Sequence, residues 1–420
     1  MKTARVIFFL WLAWVLILLG FQTWVTARLE LKYPDRAREW TTKYTSPDSQ
    51  RGHIYLLEPF MNNQVAWDSE YYLAIAVGGY DDPGSPQLAT KNNPGDPSSS
   101  FGKSISLSYA FFPFYPMLIR IFAFPLHLLG LNPIATAALA GVTVSALGTL
   151  LGMLALYDLT RELLGEDGAL RAVFYLIIFP TGFFLLQVYS EGLFVGLAFA
   201  CLAMLKRRYW LAAALLAAAA TLTRAVGVVL VIPMLITWFH NEALALEWRQ
   251  VFRERAQLGI LYHALLAITP LIVFAVWKFS DLGRAFDYVQ AANYSRGFLS
   301  FGKSFHSWSE AFRTMFGGAE PQSTAYYFTE FLGLAIAITT CLICLRLDPE
   351  LGWFSLAVVV ISWASGDIQS FHRYILAAPA VFIVLSRWGR NPVFDRAWTI
   401  LSLLLMAILT MLFSFDMWVA

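Results

Sequence analysis

The chain has 420 residues, of which 58% are apolar, 16% aromatic and only 14% charged, against about 25% charged in an ordinary soluble domain. That balance excludes a soluble globular enzyme and points to an all-α polytopic membrane protein. The formal net charge of +2 comes without any Lys/Arg-rich block, so nothing suggests nucleic acid as a partner and the basic residues are left to set topology.

Lys2 and Arg5 precede an apolar run from Val6 to Thr26. It is longer than a signal-peptide core and has no small-residue cleavage site, which predicts an uncleaved first span. Residues 27–132 then form a large first extracytoplasmic loop with juxtamembrane helices. Its first part, Arg28 to Glu58, is mixed in charge. Its second part carries Trp67-Asp68-Ser69-Glu70-Tyr71-Tyr72-Leu73-Ala74-Ile75-Ala76, closed by Gly78-Gly79-Tyr80. An acid suits a helix N-terminus and paired glycines stop a helix, so a short helix is predicted from Asp68. Being apolar and aromatic but outside the spans, it is expected to lie on the bilayer surface. Asp68 then faces the headgroup layer, where a carboxylate can deprotonate a hydroxyl acceptor meeting a lipid-borne donor. The following Asp81-Asp82-Pro83-Gly84 and Asn93-Pro94-Gly95 runs are turn chemistry. A metal site of Asp81 and Asp82 with Glu191 is the lesser reading, and no cofactor is called for.

Residues 109–131 decide the topology. If they do not cross, spans fall at about 133–157, 169–188, 190–205, 209–223, 225–240, 258–279, 325–345, 350–365, 374–388 and 397–415. Arg161, Arg171, Lys206, Arg207, Arg208, Arg249, Arg253, Arg255, Arg346, Arg387, Arg390 and Arg396 then share the side of Lys2 and Arg5. Pro113, Pro116 and Pro125, with Pro133 just beyond and Arg120, also weaken 109–131 as a lipid-exposed helix. The expectation is therefore about eleven spans, with the N-terminus cytoplasmic and the C-terminus outside. A second large extracytoplasmic loop, 280–324, holds Asp287, Tyr288, Asn293, Tyr294, Arg296, Lys303 and His306. It is long for a connection between helices, which predicts function or disorder. Cys201, Cys341 and Cys344 all sit inside apolar runs and read as core thiols.

On that topology four places converge on the outer face: Asp68, Tyr189-Ser190-Glu191, Thr223-Arg224, and Gln369-Ser370-Phe371-His372-Arg373-Tyr374. Ionisable groups at such depth are costly and are functional by default. Arg224 and Arg373, with His372, are expected to hold a lipid phosphate, since guanidinium binds phosphate oxygens in a fork and stays charged. Trp67, Tyr71, Tyr72, Tyr80, Phe112, Tyr115, Glu191 and Tyr374 are the candidate substrate-binding residues, and Asp68 the catalytic base.

The Trp67-Asp68 motif with Gly79-Tyr80, followed by Ala110-Phe111-Phe112-Pro113-Phe114-Tyr115-Pro116, resembles the PIG-V mannosyltransferase family of the GT-C superfamily. Tyr189-Ser190-Glu191-Gly192-Leu193-Phe194, Thr223-Arg224 and Arg373-Tyr374 follow in the order such enzymes would place them. The resemblance implies the GT-C fold in one membrane domain over residues 1–420. It also implies a polyprenyl-phosphate-linked sugar donor, most often mannose, used on the outer face with inversion. The acceptor would be a hydroxyl of a lipid-linked or cell-surface glycan. Tyr71 and Tyr72 stand where the family often has His and Phe, which points to a divergent, prokaryotic branch acting at the plasma membrane. The competing reading is a lipid or solute transporter or flippase, which predicts internal repeats and charges deep within spans. A GT-C enzyme using another sugar is the nearer alternative.

Overall fold

The computed structural model describes residues 2–31, 33–46, 48–90, 104–240, 254–297, 299–318 and 320–419. Arg249, Arg253 and the Asn93-Pro94-Gly95 turn lie outside the described residues. In chain order the helices are α1 (Lys2–Arg28), α2 (Thr41–Tyr44), α3 (Ser69–Val77), α4 (Phe114–Leu126), α5 (Pro133–Ile178), α6 (Glu191–Lys206), α7 (Trp210–Thr223), α8 (Val231–Trp238), α9 (Glu254–Ala267) and α10 (Thr269–Lys278). They continue as α11 (Asp281–Ala292), α12 (Phe301–Phe316), α13 (Pro321–Cys344), α14 (Pro349–Trp363), α15 (Phe371–Tyr374), α16 (Pro379–Trp388) and α17 (Pro392–Ser414). One antiparallel ribbon, β1 (Gln87–Ala89) with β2 (Ser104–Ser106), places Leu88 opposite Ile105.

The all-α membrane architecture is as the composition predicts, but its spans are less regular than the hydropathy alone suggests. Among the described residues α1, α5, α13 and α17 are long and apolar enough to cross a membrane. Residues 258–267 and 269–278, bent by 49°, make a further span if taken together. The other expected crossings fall on shorter or broken helices. The predicted 169–188 span stops at Ile178, because Pro180 forces Phe179 into an extended conformation (φ −52°, ψ 145°). The predicted 374–388 span likewise begins only at Pro379, after an extended Ala378. Both breaks put irregular backbone inside an apolar protein, next to Glu191 and Arg373.

α4 has 13 residues, about 20 Å of helix against a hydrocarbon core of about 30 Å. Residues 109–131 are expected to form a juxtamembrane or re-entrant segment, and α4 alone is shorter than that core. Residues 280–324 differ from the expected loop. They fold as α11, capped by Ser280 Oγ accepting from Gly283 N at 3.2 Å, and α12.

The centre of the molecule is the packing of α5 against α6, α16 and α4. α5 and α6 approach through Gly148, Gly192 and Gly196, where an added Cβ would collide with the facing backbone. This close approach fixes the first turn of α6, and with it the buried Glu191. The chain's end is tied back to its beginning: Trp418 N donates to Asp35 Oδ2 at 2.8 Å.

Candidate active site

Asp68 stands just before α3, after a left-handed Trp67 (φ 52°). It occupies the cap position, yet its side chain makes no capping bond. Its Oδ2 instead accepts from Arg373 Nη2 at 3.2 Å, and its backbone N donates to the Tyr189 hydroxyl at 3.2 Å. The turn conformation thus frees the carboxylate to face a charged cluster.

Arg373 is buried on α15, its guanidinium over the rings of Phe184 and Tyr189 at 5.1 and 5.0 Å. Its Nε lies 3.0 Å from Glu191 Oε1, and Glu191 also pairs with Arg224. Arg224 occupies an extended break (φ −152°, ψ 142°) between α7 and the 3-10 turn 225–230, which turns it out of the helical run. Its Nη1 donates to Ser190 Oγ at 3.3 Å.

A third arginine joins from the segment after α11. Arg296 Nη1 donates to the Tyr374 hydroxyl at 2.8 Å and Nη2 to Gln369 O at 3.4 Å. The Tyr374 ring has Arg224, Arg373 and Arg296 at 4.8, 5.2 and 5.7 Å from its centroid. Burial would raise the Tyr374 phenol, but Arg296, Arg373 and Arg224 outweigh it and bring it down to about 8. Three guanidiniums face two carboxylates, so the cluster carries surplus positive charge. Arg373 Nη1 and Arg296 Nε are buried without a hydrogen-bond acceptor. Unsatisfied cationic donors of this kind suit an anion with several oxygens.

Two cavities meet at this cluster. One, of about 510 Å³, has Asp68, Glu191 and the three arginines at its polar end and Phe194, Val195, Val226, Phe274, Ile361 and Leu376 along its walls. The other, of about 670 Å³, is lined by Trp40, Tyr44, Trp67, Tyr71, Tyr294 and Trp418, with His53, Glu70, Asp367 and Asp416. Asp68, Arg296, Arg373 and Tyr374 belong to both.

Of the residues picked from sequence, Tyr72, Phe112, Glu191 and Arg224 line the first cavity, Trp67 and Tyr71 the second, and Asp68, Arg373 and Tyr374 the shared wall. Tyr80, Tyr115 and His372 line neither. The Tyr80 hydroxyl donates to Phe111 O at 2.9 Å. Tyr115 is sealed against α5, its hydroxyl 2.9 Å from Ser145 Oγ. His372 points away from Arg373, with Nδ1 2.9 Å from Glu330 Oε2. Glu330 also accepts from His372 N at 3.0 Å and from the Tyr326 hydroxyl at 2.8 Å, while Thr181 Oγ1 donates to His372 O at 2.9 Å. This buried network fixes the turn that presents Arg373, so His372 is placed to position its neighbour. Arg296 and Glu330 had no role assigned from sequence, although an acid within an apolar span is itself a functional signal.

Asp81 accepts from the Tyr109 hydroxyl at 2.9 Å, and Asp82 Oδ1 from Gly84 N at 2.7 Å, so both are used in their turn. Among the described residues no group of three His, Cys, Asp or Glu side chains is placed to hold a metal ion. Cys201, Cys341 and Cys344 are free and buried.

Residues 129–277 match the family model described as dolichyl-phosphate-mannose-protein mannosyltransferase. No curated protein sequence matches the chain. Among solved structures, the chain is similar to the oligosaccharyltransferase AglB of Archaeoglobus fulgidus in complex with an inhibitory peptide and a dolichol-phosphate. That likeness has 14% identity, a TM-score of 0.42, and covers 97% of this chain and 55% of that one. The chain therefore spans little more than half the length of that protein. It is also similar to ArnT of Cupriavidus metallidurans bound to undecaprenyl phosphate, at 12% identity and TM-score 0.42, covering 96% of this chain and 76% of ArnT. Apo ArnT gives 15% identity and TM-score 0.43, covering 84% and 72%.

Proposed function

We propose that the chain is a GT-C membrane glycosyltransferase that moves a sugar, mannose in the first instance, from a polyprenyl-phosphate carrier to a hydroxyl of a lipid-linked or cell-surface glycan. The carrying observation is the shared wall: a carboxylate and two arginines, Arg296 and Arg373, stand where an apolar cavity that also holds Arg224 meets an aromatic, acid-lined one. The family match over residues 129–277 supports a polyprenyl-phosphate-mannose donor.

In this reading the donor's prenyl chain lies along Phe194, Val195, Phe274 and Leu376, and its phosphate sits among Arg224, Arg296 and Arg373. The acceptor enters past Trp40, Trp67 and Trp418. Its hydroxyl oxygen attacks the anomeric carbon as Asp68 takes the proton. The bond from that carbon to the phosphate oxygen breaks, and its electron pair leaves with the polyprenyl phosphate. The arginines stabilise the anion that develops, in a site with little water. Attack opposite the leaving group inverts the anomeric centre. Arg373 contacts both the carboxylate and the phosphate position, so it aligns the base with the leaving group. The active site lies on the extracytoplasmic face in this scheme.

The test is transfer of radiolabelled mannose from polyprenyl-phosphate mannose to a cellular lipid extract by purified protein, wild type against Asp68→Asn. Transfer by wild type that is lost in a folded Asp68→Asn variant supports the mechanism. Equal transfer by both removes Asp68 from the chemistry, and transfer only from another polyprenyl-phosphate sugar reassigns the donor.

A further inference from the structure

α12 presents a bare apolar ridge that the glycosyl-transfer scheme does not use. At 100° per residue Phe301, Phe305, Phe312 and Phe316 fall within one sector of about 60°. All four are exposed, Phe305 and Phe316 at 71% each. The adjoining sector, Ser304, Trp308 and Ala311, is buried against the body of the protein. Lys303, His306, Glu310 and Arg313 occupy the opposite face. Four exposed phenylalanines in register on one helix are far from the scattered apolar residues of an ordinary surface.

The attachments of α12 say what covers the ridge. At its start Ser300 N donates to Ala364 O at 2.8 Å and Gly297 N to Ser365 O at 2.9 Å, just beyond the end of α14. Its other end leads directly into the first turn of α13, an apolar helix of 24 residues. Its ends are thus fastened beyond the C-terminus of α14 and at the N-terminus of α13, so α12 runs across these two apolar helices rather than away into solvent. Trp308 and Phe312 pack on Phe331 at 5.0 and 5.7 Å, beside the exposed Phe328 of α13. The ridge therefore continues the apolar flank of a membrane-crossing helix.

We infer that α12 lies in the plane of the bilayer, with its Phe301, Phe305, Phe312 and Phe316 ridge sunk at the boundary between headgroups and acyl chains. A helix with aromatics on one face and Lys and Arg on the other is the pattern that settles there. The protein-facing side of the same helix holds the approach to the charged cluster. Ser307 Oγ donates to Asp367 Oδ1 at 2.8 Å and accepts from Ile368 N at 3.1 Å, and Ser304 Oγ accepts from Gly366 N at 3.0 Å. α12 thereby anchors the 365–370 segment, and Arg296 beside it, to the membrane surface.

The test needs no activity. Phe305→Cys, and separately Phe316→Cys, are made in a chain whose three native cysteines are replaced, labelled with an environment-sensitive fluorophore, and placed in phosphatidylcholine–phosphatidylglycerol nanodiscs. Glu310→Cys on the polar face is the control. Lipids brominated near the top of the acyl chain are expected to quench positions 305 and 316 at least about threefold more than 310, with iodide showing the reverse order. Iodide quenching at 305 and 316 equal to that at 310 overturns the inference. So does protection from both quenchers, which would mean that a protein surface covers the ridge.

Discussion

On one side of Asp68 the cavity wall includes Phe194, Val195, Val226, Ile361 and Leu376, with three arginines and Glu191 among its polar lining. On the other side the wall alternates Trp40, Trp67 and Trp418 with Glu70, Asp367 and Asp416. An apolar sleeve ending in guanidiniums fits a ligand that is hydrocarbon at one end and anionic at the other. Flat aromatics interleaved with carboxylates fit a ligand with apolar faces and hydroxyl edges. The tryptophans hold one another edge to face, Trp40 to Trp418 at 4.7 Å and Trp67 to Trp418 at 5.0 Å. The buried Trp67 Nε1 makes no hydrogen bond, which leaves a donor for an acceptor oxygen. What the contrast teaches is that the proposed scheme puts its reaction centre at the partition itself.

Disabling the partition is the sharpest way to break this comparison. Asp68→Asn keeps the shape of the carboxylate and should lower kcat by about 10³-fold, with both substrates' KM values little changed. Steady-state transfer assays varying each substrate in turn check it. A loss seen only in KM would make Asp68 a binding group.

Next in size is Arg296→Ala, which removes the guanidinium contributed from the α11–α12 segment. Charge-assisted hydrogen bonds of this kind predict a rise in donor KM of roughly 10- to 100-fold, with acceptor KM unchanged. As competitive inhibitors, polyprenyl phosphate should lose affinity in the variant while the phosphate-free polyprenol should not distinguish variant from wild type. If the acceptor KM rises instead, the assignment of the two cavities is reversed. A smaller effect is expected on the other side. Trp418→Ala opens the tryptophan cluster and should raise acceptor KM by about fivefold while sparing the donor.

How far these groups could be read beforehand follows from what a chain shows without its neighbours. Glu191, Arg224 and Arg373 stood out because charge is rare in apolar surroundings, and Asp68 because it starts an aromatic helix; the structure brings all four together. Arg296 lies in a polar segment where an arginine is unremarkable, and only the packing of α11 carries it to Tyr374. His372 looked equivalent to Arg373, but adjacent residues on a helical turn point about 100° apart, and the imidazole meets Glu330 instead. Tyr80 and Tyr115 were legible as aromatics suited to a substrate, while the bonds their hydroxyls make to Phe111 and to Ser145 of α5 depend on packing that the sequence does not show. The all-helical membrane character was plain from composition. The breaks at Pro180 and Pro379 were written in the chain as well, and a reading by apolar windows passed over them.

The smallest expected effect tests the arginine side through pH. Tyr374 lies on α15, outside the long apolar helices, and its phenol titrates at about 8, against an ordinary value of 10.0. Burial works against this and the three arginines prevail. As pH rises through about 8 the phenolate forms and competes with the donor phosphate for the same guanidiniums. Donor KM should therefore climb a few-fold above that pH while acceptor KM stays level. Stability should move the opposite way. A phenol whose folded value is depressed contributes stability that is complete above the unfolded value near 10 and is lost as pH falls through about 8. Wild-type protein in detergent should thus gain thermal stability between those two values relative to Tyr374→Phe, which should also flatten the donor profile. If the donor profile persists in Tyr374→Phe, another group titrates. If the acceptor KM carries the pH dependence, the arginines serve the aromatic cavity, and the partition drawn at Asp68 is misplaced.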